Sequence, residues 1–364
     1  MKSDISLNGL VISEVPDLYN FRSFISNCGY GIFSASEIIN QIKTDSRKLK
    51  IDISAHDQND LPKLLSDAIK SNDVNVKNVA EDIVADFGRR LGLIVYILKT
   101  ATLKNRQANN KYKSQDWQTW KDCSRIFLAG GLANGLLGEK IRYYAQELLN
   151  ELNIKDSEFI ISKFPSYTQM IGCARLNKEA NKQALLFDFG HSFVKTGLAI
   201  FNGQALHQIK LLPKLKSQHM NKGYSNKDEE YEDAVGLHNF IVKTISDYYL
   251  VYSKPDCSKH IVISIANNVK NGKIGWGGCY YKLMFVSQEY ERYLENCLSE
   301  VIGEDIKITL IHDGQAASIS FSGEENSAFI ALGTAFGVGY PELIPGLKDA
   351  NYVEITELET QRGG

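Results

Sequence analysis

Asp188 ends an apolar run of Leu185, Leu186 and Phe187, and Gly190, His191 and Ser192 follow before apolar character resumes at Gly197. The pattern predicts a β-hairpin with a carboxylate at the end of its first strand. A turn of glycine and small or polar residues lets backbone N–H groups approach an anion closely. A carboxylate beside such a cradle is what a hydrated Mg²⁺ carrying a nucleotide tail requires. Lys195 adds a cation on the returning strand. The plain alternatives are a turn-capping Asp188 and a solvated strand lysine.

Three other segments offer matching chemistry. Residues 308–312 form a short apolar strand that delivers His312 and Asp313 to a helix start. A carboxylate there can act as a general base toward a hydroxyl, or cap the helix, and both can hold together. Residues 327–340 read as a strand, a Gly333-Thr334 turn and a glycine-rich strand, with backbone N–H groups and a hydroxyl for phosphates. Residues 124–135 read as a buried strand running into Gly130 and Gly131, with Asn134 just beyond. Asn267 and Asn268, after a strand, and Trp276 among glycines are candidates for a substrate wall. For Trp276 plain packing is an equal reading, and a lone His312 is commonly structural.

The hairpin at Asp188 resembles the first phosphate loop of the actin/hexokinase/Hsp70 ATPase superfamily, and the spacing to Lys195 is similar to actin's. His312-Asp313 resembles the segment that presents the catalytic Asp in the ROK sugar kinases. Leu332-Gly333-Thr334 resembles the second phosphate loop, and 124–135 the adenosine loop. In ordinary members the adenosine loop comes last, whereas here it comes first. Placing 181–364 ahead of 1–180 restores the usual order, so the chain resembles a circular permutant. The helical pattern 78–100 would then precede the adenosine strand, and 166–176 resembles the small-residue helix that ends ROK proteins. Permutation costs little when the old termini are close and the new ones lie on the surface. Residues 1–75 and 342–364 match only loosely.

The resemblance implies an α/β fold of two ribonuclease-H-like lobes around an ATP cleft, circularly permuted. The larger lobe would combine 1–180 with 326–364, and the smaller would be 181–325. ATP and Mg²⁺ are the implied cofactors, with Asp188 holding the metal through water and Asp313 as the base. Gly190, His191, Ser192, Lys195, Gly333, Thr334, Gly130, Gly131 and Asn134 would hold the nucleotide. Asn267, Asn268, His312 and Trp276 would meet the substrate. The implied activity is phosphorylation of a hydroxyl on a sugar or sugar-like small molecule, with a homodimer left open. A regulatory ATP- or ligand-binding protein without turnover, and an actin-like ATPase, are the alternatives. His191 stands where the family usually has glycine, and His312 where it commonly has asparagine. The family's cysteine-rich zinc loop is missing, so its sugar contacts do not transfer.

Composition agrees with a soluble globular chain. It has 364 residues, 43% hydrophobic and 23% charged, long enough for two lobes. A net charge of −2 gives no general pull toward nucleic acid or acidic membranes. No stretch reaches membrane length and no leader pattern opens the chain, so the cytoplasm is the expected address. The six cysteines lack CxxC spacing, which predicts reduced thiols rather than a disulfide frame. Helices are expected at 78–100, 136–150, 232–252 and 288–302, and single strands at 125–130 and 260–265. A β-meander is expected over 184–212, and a mobile loop over 214–233.

Overall fold

The computed structural model describes residues 3, 5–180, 182–218, 224–334 and 336–357. It is an α/β chain with mixed parallel and antiparallel sheets that divides into two compact units. One unit runs through Ser166 and includes Glu324–Glu342; the other takes Tyr167–Gly323 and the residues from Leu343 on. The divisions fall ahead of 180 and at 323 and 342, so residues 167–180 and those after 342 group with the hairpin that carries Asp188.

In the first unit, β1 (Arg125–Ala129) and β2 (Glu158–Ile161) join β10 (Ser327–Ala331) and β11 (Gly337–Gly339) in the order β11-β10-β1-β2. β1 pairs in parallel with β10 and β2, while β10 and β11 run antiparallel. The helix Val74–Thr100 starts at Asp73, whose carboxylate accepts from the N–H groups of Asn75 and Val76, as an N-cap should. That cap moves the start four residues ahead of position 78. Its Gly88 and Gly92 let the Gly135–Glu151 helix approach closely, since added Cβ atoms would come 2.8 Å from Ile141 O and 2.7 Å from Ala145 O.

In the second unit, the meander is β3 (Gln183–Phe189), β4 (Phe193–Asn202) and β5 (Ala205–Lys216), followed by β6 (His260–Ile265) and β9 (Lys307–His312). With β12 (Glu354–Glu357) the order is β12-β5-β4-β3-β6-β9. β3 is antiparallel to β4 but parallel to β6, and β6 is parallel to β9. β3 and β6 are almost wholly buried apolar runs, as strands covered on both faces must be. A separate hairpin joins β7 (Asn267–Lys270) to β8 (Lys273–Gly278) through Asn271 and Gly272, both at positive φ. An Asn-Gly pair of this kind favours a tight hairpin turn.

The expected loop at 214–233 is much shorter. β5 continues to Lys216, and the helix Lys227–Tyr252 begins at Asn226, whose side chain accepts from Glu229 N. Residues 219–223 lie outside the described residues. Among the described residues, no helix is long and apolar enough to cross a membrane.

The Thr168–Leu176 helix packs on the Asp313–Ile319 helix and on β3 and β6. Gly172 makes the approach possible, because a Cβ there would lie 1.7 Å from Ala316 O. Backbone atoms cannot move aside as a flexible side chain can. Gly172→Ala is therefore expected to destabilise the second unit by about 1–3 kcal/mol. Denaturant unfolding of parent and variant measures this, and equal midpoints would contradict the contact.

Candidate functional site

Asp188 is not at the turn. It lies within β3, is 3% exposed, and pairs in register with Lys195 of β4 on one side and Ser264 of β6 on the other. Ser264 donates its hydroxyl to Asp188 Oδ1 at 2.8 Å, and Lys195 Nζ lies 3.4 Å from Oδ2. Three strands thus contribute one polar row in an apolar sheet. A carboxylate so deeply buried needs such partners, because water no longer solvates it.

The turn itself is drawn tight by its own backbone. Gly190 N–H donates to Phe193 O at 3.1 Å and lies 3.0 Å from Asp188 O. Gly190 O accepts from Ser217 Oγ at 2.8 Å and from Tyr280 Oη at 3.0 Å. The Gly190 amide is thus engaged within the hairpin rather than turned toward an anion. His191 is exposed and Ser192 half-buried, and Ser192 O accepts from Ser217 N at 3.1 Å.

Asp313 follows β9 as the first residue of its helix, with His312 in the N-cap position. Its Oδ1 accepts from Gly314 N at 2.7 Å and lies 3.0 Å from His312 Nε2. Desolvation pushes the Asp313 carboxyl above the ordinary aspartate range, and the negative charge of Asp188 adds to the rise. His312, the Gly314 N–H and Lys195 pull the other way. Asp188, Lys195, His312 and Asp313 therefore form one electrostatic site at the C-terminal ends of β3, β6 and β9.

Asn267, Asn268 and Trp276 belong to the β7–β8 hairpin. Asn267 is buried and fully engaged: its Nδ2 donates to Gly275 O at 2.9 Å, and its Oδ1 accepts from Tyr280 N at 3.0 Å. Asn268 Nδ2 donates to Trp276 O at 3.1 Å. Both amides hold the hairpin in shape. Trp276 is 66% exposed and stacks on Tyr281 at 5.7 Å between ring centroids, with Phe285 edge-on. Burial raises the thiol of Cys279, just after this hairpin, to about 11, and the charge of Asp313 adds to the rise.

The remaining predicted residues lie in the first unit. Gly130 has φ +98°, and a Cβ on it would come 2.5 Å from Leu332 O. Leu332 N donates to Ala129 O and Leu132 N to Leu332 O, so the Gly130 turn and the chain entering Gly333 are laced together. Gly333 O accepts from Ala35 N at 3.0 Å, and Thr334 is exposed. Gly131 is exposed with open space where a Cβ would stand. Asn134 Nδ2 donates to Gly130 O, Gly131 O and Ser166 Oγ, so it clamps the glycine turn from within.

Among the described residues, no group of three His, Cys, Asp or Glu side chains converges as a metal site. The donors fit a hydrated Mg²⁺ instead, which keeps several waters and takes one or two carboxylates plus phosphate oxygens. Asp188 and Asp313 repel one another at this sheet end, and Lys195 offsets part of that repulsion. Ser264 escaped sequence reasoning because a serine in an apolar strand carries no motif; only register places it beside Asp188. No protein-family model matches the chain, and no curated protein matches it in sequence.

The raised carboxyl of Asp313 has a stability consequence. Above its raised folded-state value, only the native state bears the desolvated charge beside Asp188. Below the ordinary aspartate value of 3.8, both states are protonated. Asp313→Asn should therefore melt higher than the parent at neutral pH, with the gain vanishing as pH falls through that window. Thermal melts of both proteins from about pH 3 to about pH 8 check the sign; a lower melting temperature at neutral pH would contradict it.

Proposed function

We propose that this chain is an ATP- and Mg²⁺-dependent kinase that phosphorylates a hydroxyl of a sugar or sugar-like small molecule. Its fold would be that of a circularly permuted member of the actin/hexokinase/Hsp70 superfamily, nearest the ROK kinases. The observation that carries the activity is the pairing of Asp188 and Asp313 at one end of one sheet, with Lys195 beside them. The fold reading is supported by strand order. The second unit runs β4-β3-β6-β9 and the first runs β11-β10-β1-β2. In each, a hairpin is followed by two strands parallel to the hairpin's first strand. The two patterns coincide only when the chain is read from 183 to the end and then from the beginning, which is the permuted order. That shared order supports reading the two units as ribonuclease-H-like lobes.

Phosphoryl transfer needs positioning and charge neutralisation more than covalent help. Asp313, with its raised carboxyl, is suited to accept the proton of an attacking hydroxyl. Asp188, oriented by Ser264, would hold the metal's water shell, and Lys195 would oppose phosphate charge. Mg²⁺, when bound, would neutralise the phosphates. Gly130, Gly131, Gly333 and Thr334 would meet the nucleotide. One observation favours a second reading, nucleotide binding without transfer: the Gly190 amide is engaged within its own hairpin.

A panel of hydroxyl compounds with ATP and Mg²⁺, read as ADP release, separates the two. Asp313→Asn and Asp313→Ala should each lower transfer ~10²–10⁴-fold, about 3–5 kcal/mol of transition-state stabilisation, with ATP binding nearly intact. Full transfer by a folded Asp313→Asn protein would remove the kinase mechanism. Asp188→Asn should instead raise the Mg²⁺ concentration needed for half-maximal rate, and an identical Mg²⁺ dependence would rule out its metal role.

A further inference from the structure

The carbonyl of Gly190 is held from outside its own hairpin. Ser217 Oγ, just past the end of β5, donates to it at 2.8 Å. Tyr280 Oη, just past the end of β8, donates to it at 3.0 Å. Tyr280 is fully buried, with its ring edge-on to Phe189 and its N–H donating to Asn267 Oδ1 at 3.0 Å. Burial pushes the Tyr280 hydroxyl above the ordinary phenol range, so it remains a donor at any working pH.

In a planar trans peptide the C=O of one residue and the N–H of the next point in opposite directions. The Gly190–His191 peptide is trans. Its carbonyl turns in toward the buried Tyr280, so the His191 N–H turns outward, and His191 is itself exposed. Charge around this turn is positive. Lys216 pairs in register with Phe193, Lys214 Nζ lies 4.5 Å from the Phe193 ring centroid, and Lys195 follows on β4. Asp188, the one acidic residue of the hairpin, is already met by Ser264 and Lys195. An amide hydrogen turned outward among lysines favours an anion.

We propose that Tyr280 and Ser217 are positioning residues that fix the Gly190–His191 peptide so that the His191 N–H donates to a phosphate oxygen of ATP. The inference deepens the kinase reading and rests on it. It supplies the hairpin with an anion donor even though the Gly190 amide is engaged with Phe193 O. It also ties the hairpin of Asn267 to the phosphate turn through one buried side chain.

Calorimetry with ATP and with adenosine, on the parent, Tyr280→Phe, Ser217→Ala and the double variant, tests this. A parent that binds no ATP defeats the kinase reading itself, and the inference with it. Given binding, each single variant leaves one hydroxyl on the carbonyl and should weaken ATP only about twofold. The double variant frees the peptide and should weaken ATP by more than tenfold, beyond the product of the single losses, as for loss of a hydrogen bond to a charged group. Adenosine, which has no phosphates, should bind all four proteins alike. A second measurement needs no variant to fold: with the parent's histidines labelled with ¹⁵N, the His191 amide proton should shift downfield with ATP and stay in place with adenosine. A His191 amide that ignores ATP would overturn the proposal and leave the kinase reading standing. So would ATP losses that merely multiply, or adenosine affinity that falls in step with ATP.

Discussion

A carboxylate buried inside a sheet must be satisfied by the strands on either side, and the second unit is arranged around that demand at Asp188. Isolated, the charge would cost far more than a surface one, because the surrounding apolar side chains cannot replace water. Lys195 and Ser264 meet the need from opposite flanks, each directly across from Asp188 in its strand pair. Register has period two, so a slip of one residue in either pairing would turn the partner to the other face. The polar row therefore pins β4, β3 and β6 against one another more strictly than their apolar neighbours do.

Each unit also depends on backbone meeting backbone. Gly130 passes Leu332 and Gly172 passes Ala316 at distances that no side chain would tolerate. In the first unit this contact brings the end of β1 and the end of β10 together, which sets the two glycine turns side by side. In the second unit it seats the Thr168–Leu176 helix over β3 and β6, where the buried Cys173 meets the Ser264 backbone and feels the charge of Asp188. Turns at the C-terminal ends of parallel strands are where open α/β sheets place their ligands. Asp188, Asp313, Gly130 and Gly333 all lie at or just beyond such ends.

Much of the element pattern was legible because long periodic segments leave little choice. The helix ending at Thr100 and the strand entering Gly130 matched their expected positions within a few residues. Short-range signals were weaker guides. Polar residues after Lys214 read as a loop, yet β5 and the helix from Lys227 take in both ends of that stretch, since the end of β5 beyond its pairing with β12 and a helix N-terminus both tolerate exposed charge. The pair Asn271-Gly272 carried a hairpin signal that joins the two segments holding Asn267 and Trp276 into a single element.

Sequence alone determined the α/β alternation, the glycines at the turns and the two acidic residues at strand ends. These follow from local rules: periodicity, turn chemistry and the run of apolar residues that a buried strand requires. Only the tertiary structure decided what surrounds them. That Asp188 is inside the sheet, that Ser264 is its hydrogen-bond partner, that Asp188 raises the carboxyl of Asp313, and that Ser217 and Tyr280 share the Gly190 carbonyl all depend on segments distant in sequence. Hydrogen bonds and desolvation act over a few ångströms of space, and a linear chain does not state which of its distant residues will share that space.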